Sequence, residues 1–156
     1  MMTFAPSTSL HNNAFTKVAE GAVVAFMPAA ILGWIVFGSG IAKPLAPREA
    51  WHFFLVDVLL LAPLFETALM FPVLGLLRKL GLANTHAAVA SALFWAGLHA
   101  IKFPAQGLMV AWPFYVFSQS ILRWDPINRN KAFLMTSAMH SLFNLGISSL
   151  EVLFWF

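Results

Sequence analysis

The sequence predicts an all-α fold, a polytopic bundle of about five transmembrane helices. Three observations carry that expectation. Of the 156 residues, 60% are apolar and 10% charged, against about 25% charged in ordinary globular domains. Apolar runs long enough to cross the ~30 Å of bilayer hydrocarbon recur along the chain. The short segments of alternating polarity that a β-barrel needs are absent.

Residues 1–17 read as a polar, Asn- and Ser-rich tail ahead of a single helical domain over 18–156. The first span is expected at 18–38, bent by Pro28, with Glu20 and Lys17 as an interfacial charge pair. A loop at 38–48 follows from its glycines, Pro44 and Pro47, all breakers or turn formers. The second span, 51–77, exceeds the ~20 residues of a straight crossing, so tilt or a kink is expected. Pro63 and Pro72 supply kinks and bracket Glu66. Pro72 cannot donate to the carbonyl of Ala68, which frees a backbone acceptor one turn from the carboxylate. On a regular helix Asp57 lies half a turn out of phase with Glu66 and reads as a structural pairing residue.

A turn at 81–85 leads to the third span, 86–103, closed by Lys102 and Pro104. His86 falls at the membrane edge; His52 and His11 are equally unremarkable as wet histidines. The fourth span, 106–122, holds Pro113, Tyr115, Ser118, Gln119 and Ser120. Those polar groups are expected to bond a neighbouring helix in preference to lining a cavity. A polar loop at 123–131 precedes the fifth span, 132–156, which ends in the aromatic belt Phe154-Trp155-Phe156.

Five alternating spans place Lys17, Arg78, Lys79, Arg123, Arg129 and Lys131 on one side and Lys43, Arg48 and Lys102 on the other. The richer side is cytoplasmic by the positive-inside rule, which puts the N-terminus in the cytoplasm. The net charge of +3 is spread over loop ends. No basic cluster is dense enough to track phosphates, so nucleic acid is not an expected partner; membrane lipid is. Without cysteine there is no disulfide, thiol nucleophile or thiolate metal site. No short apolar segment leads to a small-residue cleavage site, so a cleaved signal peptide is not expected.

The chemistry lies in the polar residues inside these spans. Glu66 stands mid-run in Leu64-Phe65-Glu66-Thr67-Ala68-Leu69, His99 in the third span, and His140 with Asn144 in the fifth. An acid at the centre of a membrane helix costs roughly 2.5–3.5 kcal/mol on insertion scales, so a chain that keeps one must pair, solvate or protonate it. At 1.5 Å per residue, Glu66 is roughly 22 Å from the outer start of its span and His99 roughly 21 Å from the inner edge of its own. His140 and Asn144 lie roughly 12 and 18 Å from the inner edge, on one helix face. Each alone has a bland reading, as an interhelical hydrogen bond or a structural pair. Together on three spans they point to a site. A carboxylate in a low-dielectric cavity is a better general base than one in water. It can take a proton from water while imidazole and amide groups hold a developing oxyanion, the combination peptide hydrolysis needs. Glu66, His99 and His140 are also a His₂Glu set that could bind zinc with one position open, although no HExxH helix is present.

These residues fall in a pattern that resembles the CPBP family (CAAX protease and bacteriocin-processing) of intramembrane glutamic endopeptidases. Ala62-Pro63-Leu64-Phe65-Glu66 resembles the run into the family's Glu-Glu-x-x-x-Arg motif. Ser91 to His99 resembles its Phe-x-x-x-His motif, with Trp95 at the aromatic position, and Ala138 to Leu145 its His-x-x-x-Asn motif. The likeness spans about 60–146. It implies that Glu66 and His99 activate water and that His140 and Asn144 form the oxyanion hole, with no cofactor. The implied substrate is a membrane-anchored or membrane-embedded polypeptide, and the implied setting a bacterial cytoplasmic membrane. Thr67 and Phe71 stand where the motif has its second glutamate and its arginine. Both members of an i, i+4 pair are thus neutral, a joint replacement that can be nearly neutral in energy. Two rivals stand beside the endopeptidase: an inactive scaffold or immunity protein that binds a peptide or partner helix, and a small transporter with a Glu/His proton relay. The lack of inverted-repeat symmetry counts against the transporter.

Overall fold

The computed structural model describes residues 9–39 and 55–155. Among these residues the only regular structure is helix: α1 (Ser9–Gly38), a π-helical stretch (Asp57–Leu61) continuing into α2 (Ala62–Lys79), α3 (Asn84–Lys102), α4 (Pro104–Trp124) and α5 (Arg129–Trp155). Over the described residues one helix falls on each stretch expected to be helical. α1 starts at Ser9 instead of 18, so part of the expected tail is helical; 9–17 holds no Pro or Gly to stop it. Lys17 Nζ meets Glu20 Oε2 at 2.6 Å, the expected charge pair. The readings placed on 40–54, His52 among them, lie outside the described residues, as do the side chains of His11 and of the terminal aromatic belt.

The turns follow from their punctuating residues. Gly81 has φ +87°, which a side chain would disfavour. Its N–H bonds the Arg78 carbonyl and that of Leu82 the Leu77 carbonyl, the paired bonds of a Schellman C-terminus. Phe103, extended ahead of Pro104 as pre-proline residues are, is the whole link between α3 and α4. Asn128 Oδ1 accepts from the Lys131 N–H at 2.9 Å and caps α5.

α1 packs on α4 and α5 through a stripe of small residues, Ala22, Ala25, Ala29 and Gly33. α3 and α4 are the most intimate pair; a Cβ on Gly107 would lie 2.6 Å from the Ala96 carbonyl oxygen. Phe114, Phe117, Met70, Leu74 and Ile121 fill the centre. Hydroxyls link the helices: Ser118 donates to Ser91 and Thr136 to Ser120, each at 3.0 Å. The expected interhelical role thus holds for Ser118 and Ser120, whereas Gln119 bonds Tyr115 on its own helix. Pro28 offers no N–H to the Val24 carbonyl, and Trp112 Nε1 of α4 donates to that oxygen at 2.8 Å.

Among the described residues two helices are long and apolar enough to cross a membrane by length and composition, over Ala14–Val36 and Asp57–Lys79, and 28% of the apolar window of each is buried.

Candidate active site

Glu66 lies one turn beyond the place where the helix changes its winding. Pro63 has no N–H, and its ring crowds the preceding turn. The chain meets this with the π-helical stretch, in which the Ala62 N–H reaches back five residues to the Asp57 carbonyl. A π turn advances fewer degrees per residue than an α turn. The half-turn offset expected between Asp57 and Glu66 assumed a regular helix and is not kept. Asp57 is exposed and has no ion pair among the described residues.

Three helices bring Glu66, His99 and His140 together. His140 Nε2 lies 3.6 Å from Glu66 Oε2, and His99 Nε2 lies 3.9 Å from Glu66 Oε1. Both exceed a direct hydrogen bond and fall in the range where a bridging water is to be considered. Glu66 and His99 are about one-quarter and one-fifth exposed, and His140 is 4% exposed. Asn144 joins them at the wall of a cavity of about 180 Å³, which Val58, Phe103, Met109 and Phe143 line with apolar surface. That volume holds several waters or a short piece of an extended chain.

The two rings differ in what their hydrogens can do. His99 Nδ1 is 2.9 Å from the Trp95 carbonyl, and a carbonyl only accepts, so Nδ1 carries the hydrogen. The Nε2 lone pair of the neutral ring then faces the carboxylate. His140 Nδ1 is buried with no partner among the described residues. A stranded N–H there would cost more than a stranded lone pair, which places the hydrogen on Nε2, toward Glu66. The carboxylate thus has a donor against one oxygen and an acceptor near the other.

Aromatic residues fix the rings. Phe114 stacks on Trp95 at 5.2 Å and 8°, and its ring is 5.4 Å from His99 and 5.5 Å from His140. Phe117 lies 4.6 Å from His140. Neither phenylalanine was singled out from the sequence. Their signal was weak: an i, i+3 aromatic pair just after Pro113, in a chain with 16 phenylalanines.

Asn144 is placed differently from His140. Its Nδ2 donates to the Val58 carbonyl at 2.7 Å, which leaves one amide hydrogen uncommitted. The altered motif positions are both inside the protein. Thr67 is fully buried with Oγ1 unpartnered among the described residues, and Phe71 is 8% exposed beneath the Arg129 guanidinium at 5.0 Å.

A zinc ion would need Nε2 lone pairs from both histidines. His99 offers one and has the second-nitrogen partner that metal-bound histidines use. His140 would have to move its hydrogen to Nδ1, which has no acceptor among the described residues. The donor set fits a polarised water better than a metal.

Comparison with family models, with curated proteins and with solved structures finds no match to this chain.

Proposed function

We propose that the chain is a multi-pass membrane protein that hydrolyses a peptide bond in a membrane-anchored or membrane-embedded polypeptide. The observation that carries this reading is the convergence of Glu66, His99 and His140 from three helices on one cavity wall. The membrane setting is supported by surface: Val23, Met27, Ile31, Trp34, Phe65, Leu69 and Leu76 are exposed on the two most apolar helices. Exposed apolar faces on both helices are what a lipid surround would cover. The bond from Trp112 to a proline-orphaned carbonyl on another helix also suits lipid, where no water can satisfy it. The resemblance of the three motifs to the CPBP endopeptidases agrees with this reading, as does the Lys/Arg bias that puts the N-terminus in the cytoplasm.

The chemistry follows from the hydrogens. A water between Glu66 Oε1 and His99 Nε2 meets two acceptors, which raises electron density on its oxygen. That oxygen attacks the substrate carbonyl carbon, and a water proton passes to Glu66. The negative oxygen that forms is met by His140 Nε2–H, with the free amide hydrogen of Asn144 as a second donor. Collapse breaks the C–N bond; the proton on Glu66 goes to the departing nitrogen, leaving a carboxyl and an amine.

One observation favours the rival reading of an inactive scaffold or immunity protein. The Asn144 amide is half committed to the Val58 carbonyl, which leaves it one hydrogen fewer for a developing oxyanion. Co-expression with membrane-anchored reporter peptides, wild type against Glu66→Gln, separates the two. Cleavage that needs Glu66 supports the protease; a phenotype that needs the chain but survives Glu66→Gln supports the scaffold.

A further inference from the structure

The Val58 carbonyl has lost both of its possible helical donors. In a regular helix the Ala62 N–H would bond it, but that group reaches the Asp57 carbonyl instead. In a continued π pattern the next donor would be residue 63, and Pro63 has no N–H. A buried carbonyl left in this state costs about as much as a lost hydrogen bond. Asn144 Nδ2, from α5, fills it at 2.7 Å. Val58, Ala62 and Glu66 follow at four-residue spacing and all line the cavity, as do His140 and Asn144 one turn apart on α5.

We infer that Asn144 is a positioning residue: its amide holds the π-helical turn open by occupying the Val58 carbonyl that Pro63 orphans, and through that turn it sets Glu66 opposite His140. The bond runs from the turn to the helix that carries His140. Sliding α2 along α5, or rewinding the turn, would break it and move the carboxylate from its 3.6 Å contact. A side chain serving only the substrate would have no need of a protein carbonyl at hydrogen-bond distance. The same device recurs where Trp112 fills the Val24 carbonyl orphaned by Pro28, which supplies an internal control.

The inference rests in its catalytic half on the proteolytic reading, and its test has two arms. In the first, thermal unfolding of the purified chain in detergent is compared for wild type, Asn144→Leu, Pro63→Ala and the double variant. Alanine at 63 returns a backbone N–H, so the turn can close without Asn144. The fall in Tm caused by Asn144→Leu is expected to shrink to less than about half in the Pro63→Ala background, and to stay unchanged with Pro28→Ala. Equal falls in all three backgrounds, or equal rescue by Pro28→Ala, would overturn the inference. If Asn144→Leu is recovered only as aggregate, the yield of monodisperse protein replaces Tm; Pro63→Ala must raise that yield, and a yield left unraised overturns the inference as well. In the second arm, kcat lost with Asn144→Leu is expected to recover about threefold or more in the double variant. No recovery of kcat alongside a positive first arm would leave Asn144 the clamp and its direct contact with the developing oxyanion, and overturn its positioning of Glu66. Absence of cleavage by the wild type sinks the proteolytic reading and with it the second half of the inference, while the first arm still decides the clamp.

Discussion

Replacing Phe71 by arginine restores the residue that the resembling motif carries, yet here it should be costly. Phe71 is nearly buried, and the guanidinium of Arg129 stands 5.0 Å from its ring centroid. An arginine at 71 would leave an unpaired charge at a position 8% exposed, and stranding a buried charge costs about 3–5 kcal/mol. The Arg129 side chain, 70% exposed, can turn to water, so repulsion between the two guanidinium groups adds less than about 1 kcal/mol. A loss of about 3–5 kcal/mol is a large part of the stability of most domains, so folded yield should fall with Tm. Thr67→Glu, one turn before, supplies a carboxylate where a hydroxyl is now buried without a partner. The double variant should recover about half of the loss, because a paired charge is far cheaper than a stranded one. Arg129→Gln in the Phe71→Arg background should also recover part of it. Thermal unfolding in detergent across both double-mutant cycles measures these couplings. Wild-type stability for Phe71→Arg alone would refute the reasoning: position 71 would then face water or headgroups, and the motif containing Glu66 would be misaligned.

Further outcomes follow from single contacts. Gly107→Ala should lower Tm clearly, because its Cβ meets the Ala96 backbone carbonyl, whereas Gly97→Ala, with nothing within 4 Å, should be neutral or stabilising by up to about 1 kcal/mol. Trp112→Phe keeps most of the packing but strands the Val24 carbonyl; unfolding should show a loss of about 0.6–2 kcal/mol. Metal analysis and chelation test the water-based chemistry: activity should survive chelators, and about one zinc per chain lost together with activity would move the mechanism to a His₂Glu metal site.

The parts of the fold legible in the sequence are those set by local punctuation. Gly81 and Pro104 end or start helices for reasons of φ and missing N–H that involve only their neighbours; Asn128, which caps α5 from inside the expected 123–131 loop, was not singled out. Glu66, His99 and His140 were legible because an ionisable group in an apolar run is expensive and stands out, and the structure brings the three together. The π-helical stretch was not legible. Pro63 announces a kink, but whether the helix bends or underwinds into a π turn depends on a donor from α5, 86 residues away in sequence. That miss carried the wrong phase for Asp57. The roles of Phe114 and Phe117 were hidden for a different reason: among so many phenylalanines, only the fold decides which rings touch the histidines.

The most direct test of the account is the cleavage rate of the purified, reconstituted chain on a membrane-anchored peptide, measured for wild type and Glu66→Gln at matched thermal stability. Glutamine keeps the shape and hydrogen bonding of Glu66 and removes the base. The account predicts a fall of about 10²-fold or more in kcat, with the new ends being a free carboxyl and a free amine. Cleavage at the wild-type rate by Glu66→Gln would contradict it.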